Sequence, residues 1–90
     1  GWSDLGTWKS LYELSKKNQD KNVISGTTIV HETKNSIIKT PKDKLVVVKG
    51  LDNYIVAEFD GILMICPKDD EQLVKDFVNE AKIKFEGRFS

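Results

Sequence analysis

Apolar residues along this chain follow two different rhythms. Near the start, Leu5, Trp8, Leu11, Tyr12 and Leu14 recur at helical spacing. That spacing predicts a short helix over 8–16, capped by Asp4 or Thr7 and ended by Lys16 and Lys17, whose charge suits the negative end of the dipole. Residues 17–22, "KNQDKN", are wholly polar and read as a loop and a boundary. From Val23 to Cys66 the rhythm becomes strand-like. The pairs Val23–Ile24, Ile29–Val30 and Ile37–Ile38 keep a loose hexapeptide beat, which suits either the coils of a β-helix or an ordinary meander. The runs "KLVVVKG", "NYIVAEF" and "GILMICP" are separated by Gly50–Asn53 and by Asp60–Gly61. Those turn residues predict a three-stranded antiparallel meander. "ILMIC" scarcely alternates, so its strand is expected to be covered on both faces.

After Pro67 a last helix is predicted. Asp69 is its N-cap, Gln72 completes a capping box, and Asp70 and Glu71 favour the positive end of the dipole. Leu73, Val74, Phe77, Val78 and Ala81 form its apolar stripe, and Gly87 is its stop. The expected fold class is therefore mainly β with flanking helices (α+β): an N-terminal helix, a β-rich region and a C-terminal helix.

Composition narrows the function classes. The chain has 90 residues, 39% hydrophobic and 31% charged, which is one small globular unit. Lys plus Arg and Asp plus Glu are both 14, and no basic stripe with interleaved aromatics is present. Nucleic acid and anionic membrane surfaces are thus not the expected partners. No apolar run reaches the length of a membrane span. The one cysteine, Cys66, excludes an intrachain disulfide and fits a reducing compartment, so a cytoplasmic location is expected.

Most catalytic groupings are missing. His31 has no Cys or His at ligand spacing. There is no Gly-rich phosphate loop and no Ser–His–Asp or Cys–His set. Lys42 and Lys44 read as solvated turn residues, and the acidic cluster Asp69–Glu71 is explained by its helix end. The opening "GWSDLGTW" is what remains. On helix rules it is a capped start, with Trp2 and Trp8 packing. It also places one carboxylate, Asp4, between glycines that permit close approach and tryptophans that exclude water. A carboxylate so placed suits Mg²⁺, which takes one or two carboxylates and leaves its other positions to phosphate and water.

"GWSDLGTW", followed by "KSLYELSKKNQDKNVISG", resembles the C-terminal part of bacterial mannose-1-phosphate guanylyltransferases. "TKNSIIKTPKDKLVVVKGLDNYIVAEFDGILMICPKDDEQLVKDFVNEAK" is similar to the ending of the same family. The resemblance covers nearly the whole chain; its specific part is the first motif. It implies a sugar nucleotidyltransferase that moves a guanylyl group from GTP to mannose 1-phosphate, giving GDP-mannose and pyrophosphate. It implies that 1–17 is the tail of the catalytic domain. It also implies that 18–90 is a C-terminal β domain resembling an incomplete left-handed β-helix, with the meander and the last helix. In the wider superfamily the aspartate of the Trp-x-Asp-x-Gly motif holds the catalytic Mg²⁺. That role carries onto Asp4, with Gly6 shaping the turn beside it.

The family's Gly-rich loop with Thr-Arg, its second metal aspartate and its base and sugar pockets are absent from these residues. The resemblance therefore implies a piece of a longer enzyme that is inactive by itself. Two other readings stand beside it. One is a non-catalytic β-rich interaction module that forms a homodimer through the β domain. The other is the C-terminal part of a transferase for a different sugar 1-phosphate.

Overall fold

The computed structural model describes Trp2 and residues 7–85. The elements are α1 (Trp8–Leu14), β1 (Val23–Ser25), β2 (Thr27–His31), β3 (Ile37–Lys39), β4 (Leu45–Lys49), β5 (Tyr54–Phe59), β6 (Ile62–Pro67) and α2 (Val74–Lys84). A 3₁₀ turn, Lys68–Leu73, joins β6 to α2.

The strands wind as coils. β1, β3 and β5 lie side by side and parallel, with Val23 beside Ile37 and Ile37 beside Ile55. β2 and β4 form a second parallel sheet, with Ile29 beside Val47. The first two passes of the chain each add one strand to each sheet, and the third adds β5 to the larger sheet and turns back in β6. That is a short parallel β-helix. The hexapeptide beat was its trace, blurred by unequal corners. Gly26 alone links β1 to β2, whereas residues 40–44 link β3 to β4.

The predicted three-stranded meander shrinks to one hairpin. β4 does not pair with β5; it lies in the other sheet. Gly50–Asn53 is a coil corner stacked on the corner below it: Gly50 N–H donates to the carbonyl of His31, Lys34 N–H to that of Leu51, and Asn53 N–H to that of Lys34. Gly50 and Asn53 take positive φ here, as they would in a hairpin turn, so the local signal was ambiguous. The Asp60–Gly61 turn does close a hairpin, with β6 antiparallel to β5.

A polar column joins the coils from inside. Asn22, in the supposed linker, is buried; its Nδ2 donates to the carbonyl of Thr33 at 2.8 Å and its Oδ1 accepts from Ser36 N–H at 2.9 Å. Ser36 Oγ accepts from Tyr54 N–H at 3.0 Å. Three successive coils are thereby tied at one register, with these backbone donors met.

Two cores flank the larger sheet. Between the sheets, Ile38, Val48 and Val56 are buried with Ile24, Val30, Val46 and Leu51 around them. On the other face Ile37, Ile55, Ala57, Ile62, Met64 and Cys66 pack with Trp2, Trp8, Val74 and Val78. The second core docks both helices, as the α2 stripe required. Leu73 and Phe77, although on the predicted stripe, are both exposed and lie outside this core.

Three local expectations are corrected. Leu14 lies outside the α1 face and is 87% exposed, because α1 ends there. β6 alternates after all: Ile62, Met64 and Cys66 are buried, while Leu63 and Ile65 are exposed, because only one face meets a core. α2 has no Asp69 capping box; its N-cap is Leu73, with no side-chain cap bond, because the 3₁₀ turn occupies 68–73. Leu5 and Gly87 lie outside the described residues.

Candidate functional site around residues 3 to 6

Asp4 and Gly6, the residues the sequence singles out, lie outside the described residues. The structure instead defines what stands on either side of them. Trp2 is buried; its Nε1–H donates to the carbonyl of Phe59 at 3.1 Å. Its ring meets Phe59 edge-on at 4.9 Å and leans on Trp8 at 6.2 Å. Both tryptophans belong to the core shared by the hairpin and α2. Such aromatic pairs add roughly 0.5–1.5 kcal/mol each beyond the area they bury. The segment between the tryptophans is thus anchored at both ends on the β domain.

The next anchor is the start of α1. Thr7 is its N-cap, and its hydroxyl accepts from Ser10 N–H at 3.0 Å. Glu71, from the acidic cluster, accepts from Lys9 N–H at 2.6 Å. The cluster's own helix end was the expected use of these carboxylates, yet one of them serves α1. No sequence-local rule could reveal that, since the partners are 62 positions apart. A cleft of about 280 Å³ opens here, lined by Trp2, Thr7, Trp8, Glu71, Gln72, Val74 and Lys75.

Tyr12 fixes the far end of α1. Its hydroxyl donates to the carbonyl of Lys21 at 2.7 Å. The ammonium of Lys68 lies 3.3 Å from its ring centroid and donates to the carbonyl of Asn35 at 2.5 Å. Burial pushes the Lys68 ammonium below the usual lysine range, against an opposing pull from Asp69. Lys68 therefore ties α1, a coil corner and the 3₁₀ turn together.

The remaining candidates fall elsewhere. His31 is exposed at the end of β2, beside Lys49. Lys44 pairs with Glu58 at 2.9 Å, and Lys42 offers its carbonyl to the Thr27 hydroxyl. Cys66 is buried, and desolvation followed by Asp70 pushes its thiol upward. Among the described residues no three His, Cys, Asp or Glu side chains gather to hold a metal ion. No described helix is long and apolar enough to cross a membrane.

Comparison with known proteins shows where such an arrangement recurs. Residues 26–81 match the family model for the MannoseP isomerase/GMP-like beta-helix domain. A mannose-1-phosphate guanylyltransferase of Escherichia coli is 40% identical over 78 residues, which is 87% of this chain and 17% of that protein. The alginate biosynthesis protein AlgA of Pseudomonas syringae pv. tomato is 41% identical over 88 residues, 98% of this chain and 18% of that protein. A crystal structure from Thermus thermophilus, described as a mannose-1-phosphate geranyltransferase, superposes with a TM-score of 0.67 at 23% identity; the match covers 88% of this chain and 24% of that one. The chain thus spans less than a fifth of the length of these two curated relatives.

Proposed function

The chain belongs to the MannoseP isomerase/GMP-like β-helix domain family, and from that premise we propose that it serves as the β-helix module of a mannose-1-phosphate guanylyltransferase. In this reading the whole enzyme moves a guanylyl group from GTP to mannose 1-phosphate, releasing pyrophosphate and GDP-mannose. Residues 1–17 end the catalytic domain, 18–90 form the accessory β domain, and the 90 residues alone are inactive.

The observation that carries this reading is the double anchoring of the motif. Trp2 and Trp8 flank Asp4 in sequence and are both buried on the β domain. A β domain that grips its own entry segment this way can hold a carboxylate in register for a neighbouring site. Positional errors of about 1 Å cost on the order of 100-fold in rate, so such a grip has catalytic value.

One carboxylate, that of Asp4, would be this chain's share of a Mg²⁺ site. Mg²⁺ takes one or two carboxylates and fills its octahedron with water and phosphate oxygens. Asp4 offers one. Glu71 and Glu58 are engaged with Lys9 and Lys44, so neither is spare. When bound, the ion would offset the charge that builds as the sugar phosphate attacks the α-phosphorus. In this reading the part of this chain is to hold the segment that carries Asp4, through the buried Trp2 and Trp8 on either side of it in sequence.

The test is GDP-mannose formation from GTP and mannose 1-phosphate by the full-length protein that carries this domain. Asp4→Asn should cut turnover by about two orders of magnitude or more while leaving the circular dichroism spectrum unchanged. Near-normal turnover in that variant removes Asp4 from the mechanism. Turnover by the isolated 90 residues would refute their assigned accessory role.

A further inference from the structure

Two contacts from the 3₁₀ turn hold α1, one near its start and one further along. Near the start, Glu71 accepts from Lys9 N–H at 2.6 Å. Further along, the Lys68 ammonium lies 3.3 Å from the ring centroid of Tyr12. Lys68 is itself fixed to two coil corners. Its N–H donates to the carbonyl of Asn53 at 2.7 Å, and its ammonium donates to that of Asn35 at 2.5 Å. A second ammonium, that of Lys17, lies 4.7 Å from the same ring, but it donates to the carbonyls of Glu13 and Ser15 and so travels with α1. Of the two cations on the ring, Lys68 is the one anchored on the coils.

α1 needs such a hold. It has seven residues, no acidic side chain in its first turn and no basic one in its last. A helix that short does not stand by itself in water. Its start is set by Trp8, which is buried in the core. Its direction then depends on what holds Tyr12. An apolar side chain at 68 could cover the ring but could not also bond the Asn35 carbonyl; an ammonium does both.

We propose that Lys68 is a positioning residue for the transfer reaction, a role that rests on the transferase reading above. By clasping Tyr12 to the coil corners it fixes the tilt of α1, and with it the border from which residues 3–6 leave at Thr7. Trp2 fixes the other border. Four residues of chain reach at most about 14 Å, so a tilt of about 10° about Trp8 carries Asp4 through about 1–2 Å. Misplacement by about 1 Å costs on the order of 100-fold in rate. Trp8 and Glu71 still hold α1 when the clasp is lost, so the expected loss is smaller, about tenfold.

The experiment uses the full-length protein that carries this domain. Lys68→Met keeps the stem and removes the charge and the donor; Lys68→Arg keeps both. Lys68→Met should lower kcat for GDP-mannose formation about tenfold with the KM for GTP within about twofold, and Lys68→Arg should stay within about twofold of the unsubstituted protein in both. Without ligands, amide exchange at Leu11 and Ser15, whose N–H groups bond back to Thr7 and Leu11, should quicken about tenfold in Lys68→Met and stay unchanged in β3 and β5. Tyr12→Leu removes the clasp from the other side and should match Lys68→Met, with the double variant no worse than either.

Unchanged exchange in α1, a loss that Lys68→Arg does not restore, or additive losses in the double variant overturn the proposal. Normal kcat in Lys68→Met, where Asp4→Asn abolishes turnover, overturns it and leaves the transferase reading standing. Near-normal turnover in Asp4→Asn removes that reading and the positioning role together.

Discussion

Gly26 and Thr40 press backbone against backbone where the first coil turns beside the second. A Cβ on Gly26 would overlap the Thr40 carbonyl oxygen and approach its hydroxyl to 2.6 Å, and the φ of Gly26 is +116°. That angle is one side chains rarely adopt, so Gly26→Ala suffers strain and collision together. The expected loss is about 2–5 kcal/mol, most of the stability of a domain this small. Gly50 is the control. Its φ is +80°, but nothing lies within 4 Å of its missing Cβ. Gly50→Ala should lose only about 1–2 kcal/mol. Urea unfolding followed by tryptophan fluorescence distinguishes the two; equal losses would show that φ alone governs both sites.

Asn22 should prove as important as any aliphatic side chain in the core. Asn22→Ala strands the Ser36 N–H and the Thr33 carbonyl in a place water does not reach. Unmet buried groups cost roughly 1–3 kcal/mol each, so a loss of about 2–4 kcal/mol is expected in urea titration. A loss below about 1 kcal/mol would mean that water enters the column and replaces the side chain.

Glu71→Ala removes the acceptor for Lys9 N–H and the negative charge beside the start of α1. The contact is exposed, so the global cost should be small, about 0.5–1 kcal/mol. The effect should be local. Amide exchange at Lys9, Ser10 and Leu11 should speed up while exchange in β3 and β5 stays unchanged. Glu71→Gln, which keeps an acceptor oxygen, should show roughly half the effect.

Cys66 gives a pH dependence with a definite sign. Its folded pKa lies above the ordinary thiol value, so the fold favours the protonated form. This contribution is fully present below the unfolded thiol pKa, near 8.5, and is lost as pH rises from there through the folded pKa. The chain should therefore lose stability above about pH 8.5, and Cys66→Ala should lose less over the same range. At pH 8 a disulfide reagent should label Cys66 on the order of 100-fold more slowly in the fold than in urea. Equal labelling rates would mean that β6 opens freely.

Much of this fold was legible in the chain. The Asp60–Gly61 hairpin, the α2 stripe and the Thr7 cap each depend on neighbours within a few positions, where spacing and turn chemistry carry the information. The partner of β4 was not legible. "LVVVK" has the same alternation whether it folds back on β5 or lies parallel beside β2, and Gly50–Asn53 serves either path. The choice is made by coil closure, through the stacking of 50–53 on the corner that contains Lys34. Asn22 was hidden for a related reason: a buried polar hub looks like linker until its partners arrive from the next coil. β6 was misread because the exposed Leu63 and Ile65 are as apolar as the buried residues they alternate with, so the run does not show which face meets a core. At the candidate site, the motif marked Asp4 from sequence, but the grip of Phe59 on Trp2 and of Glu71 on α1 is visible only in three dimensions.

That grip supplies the sharpest functional prediction. Trp2 has a steric role and a hydrogen-bonding role, and the two can be separated. Trp2→Phe keeps an aromatic ring against Phe59 and loses the bond from Nε1 to the Phe59 carbonyl. It should cost about 1 kcal/mol and, in the transferase proposed above, no more than roughly tenfold in kcat/KM. Trp2→Ala removes the anchor on one side of Asp4 altogether. Its expected stability cost is about 3–5 kcal/mol, and, on the proposed role of Asp4, kcat of the whole transferase should fall on the order of 100-fold. On the proposed function, a grip that matters for placement lowers kcat while the KM for GTP changes little. A Trp2→Ala enzyme that stays folded and turns over normally would show that the tryptophan belongs to the core alone.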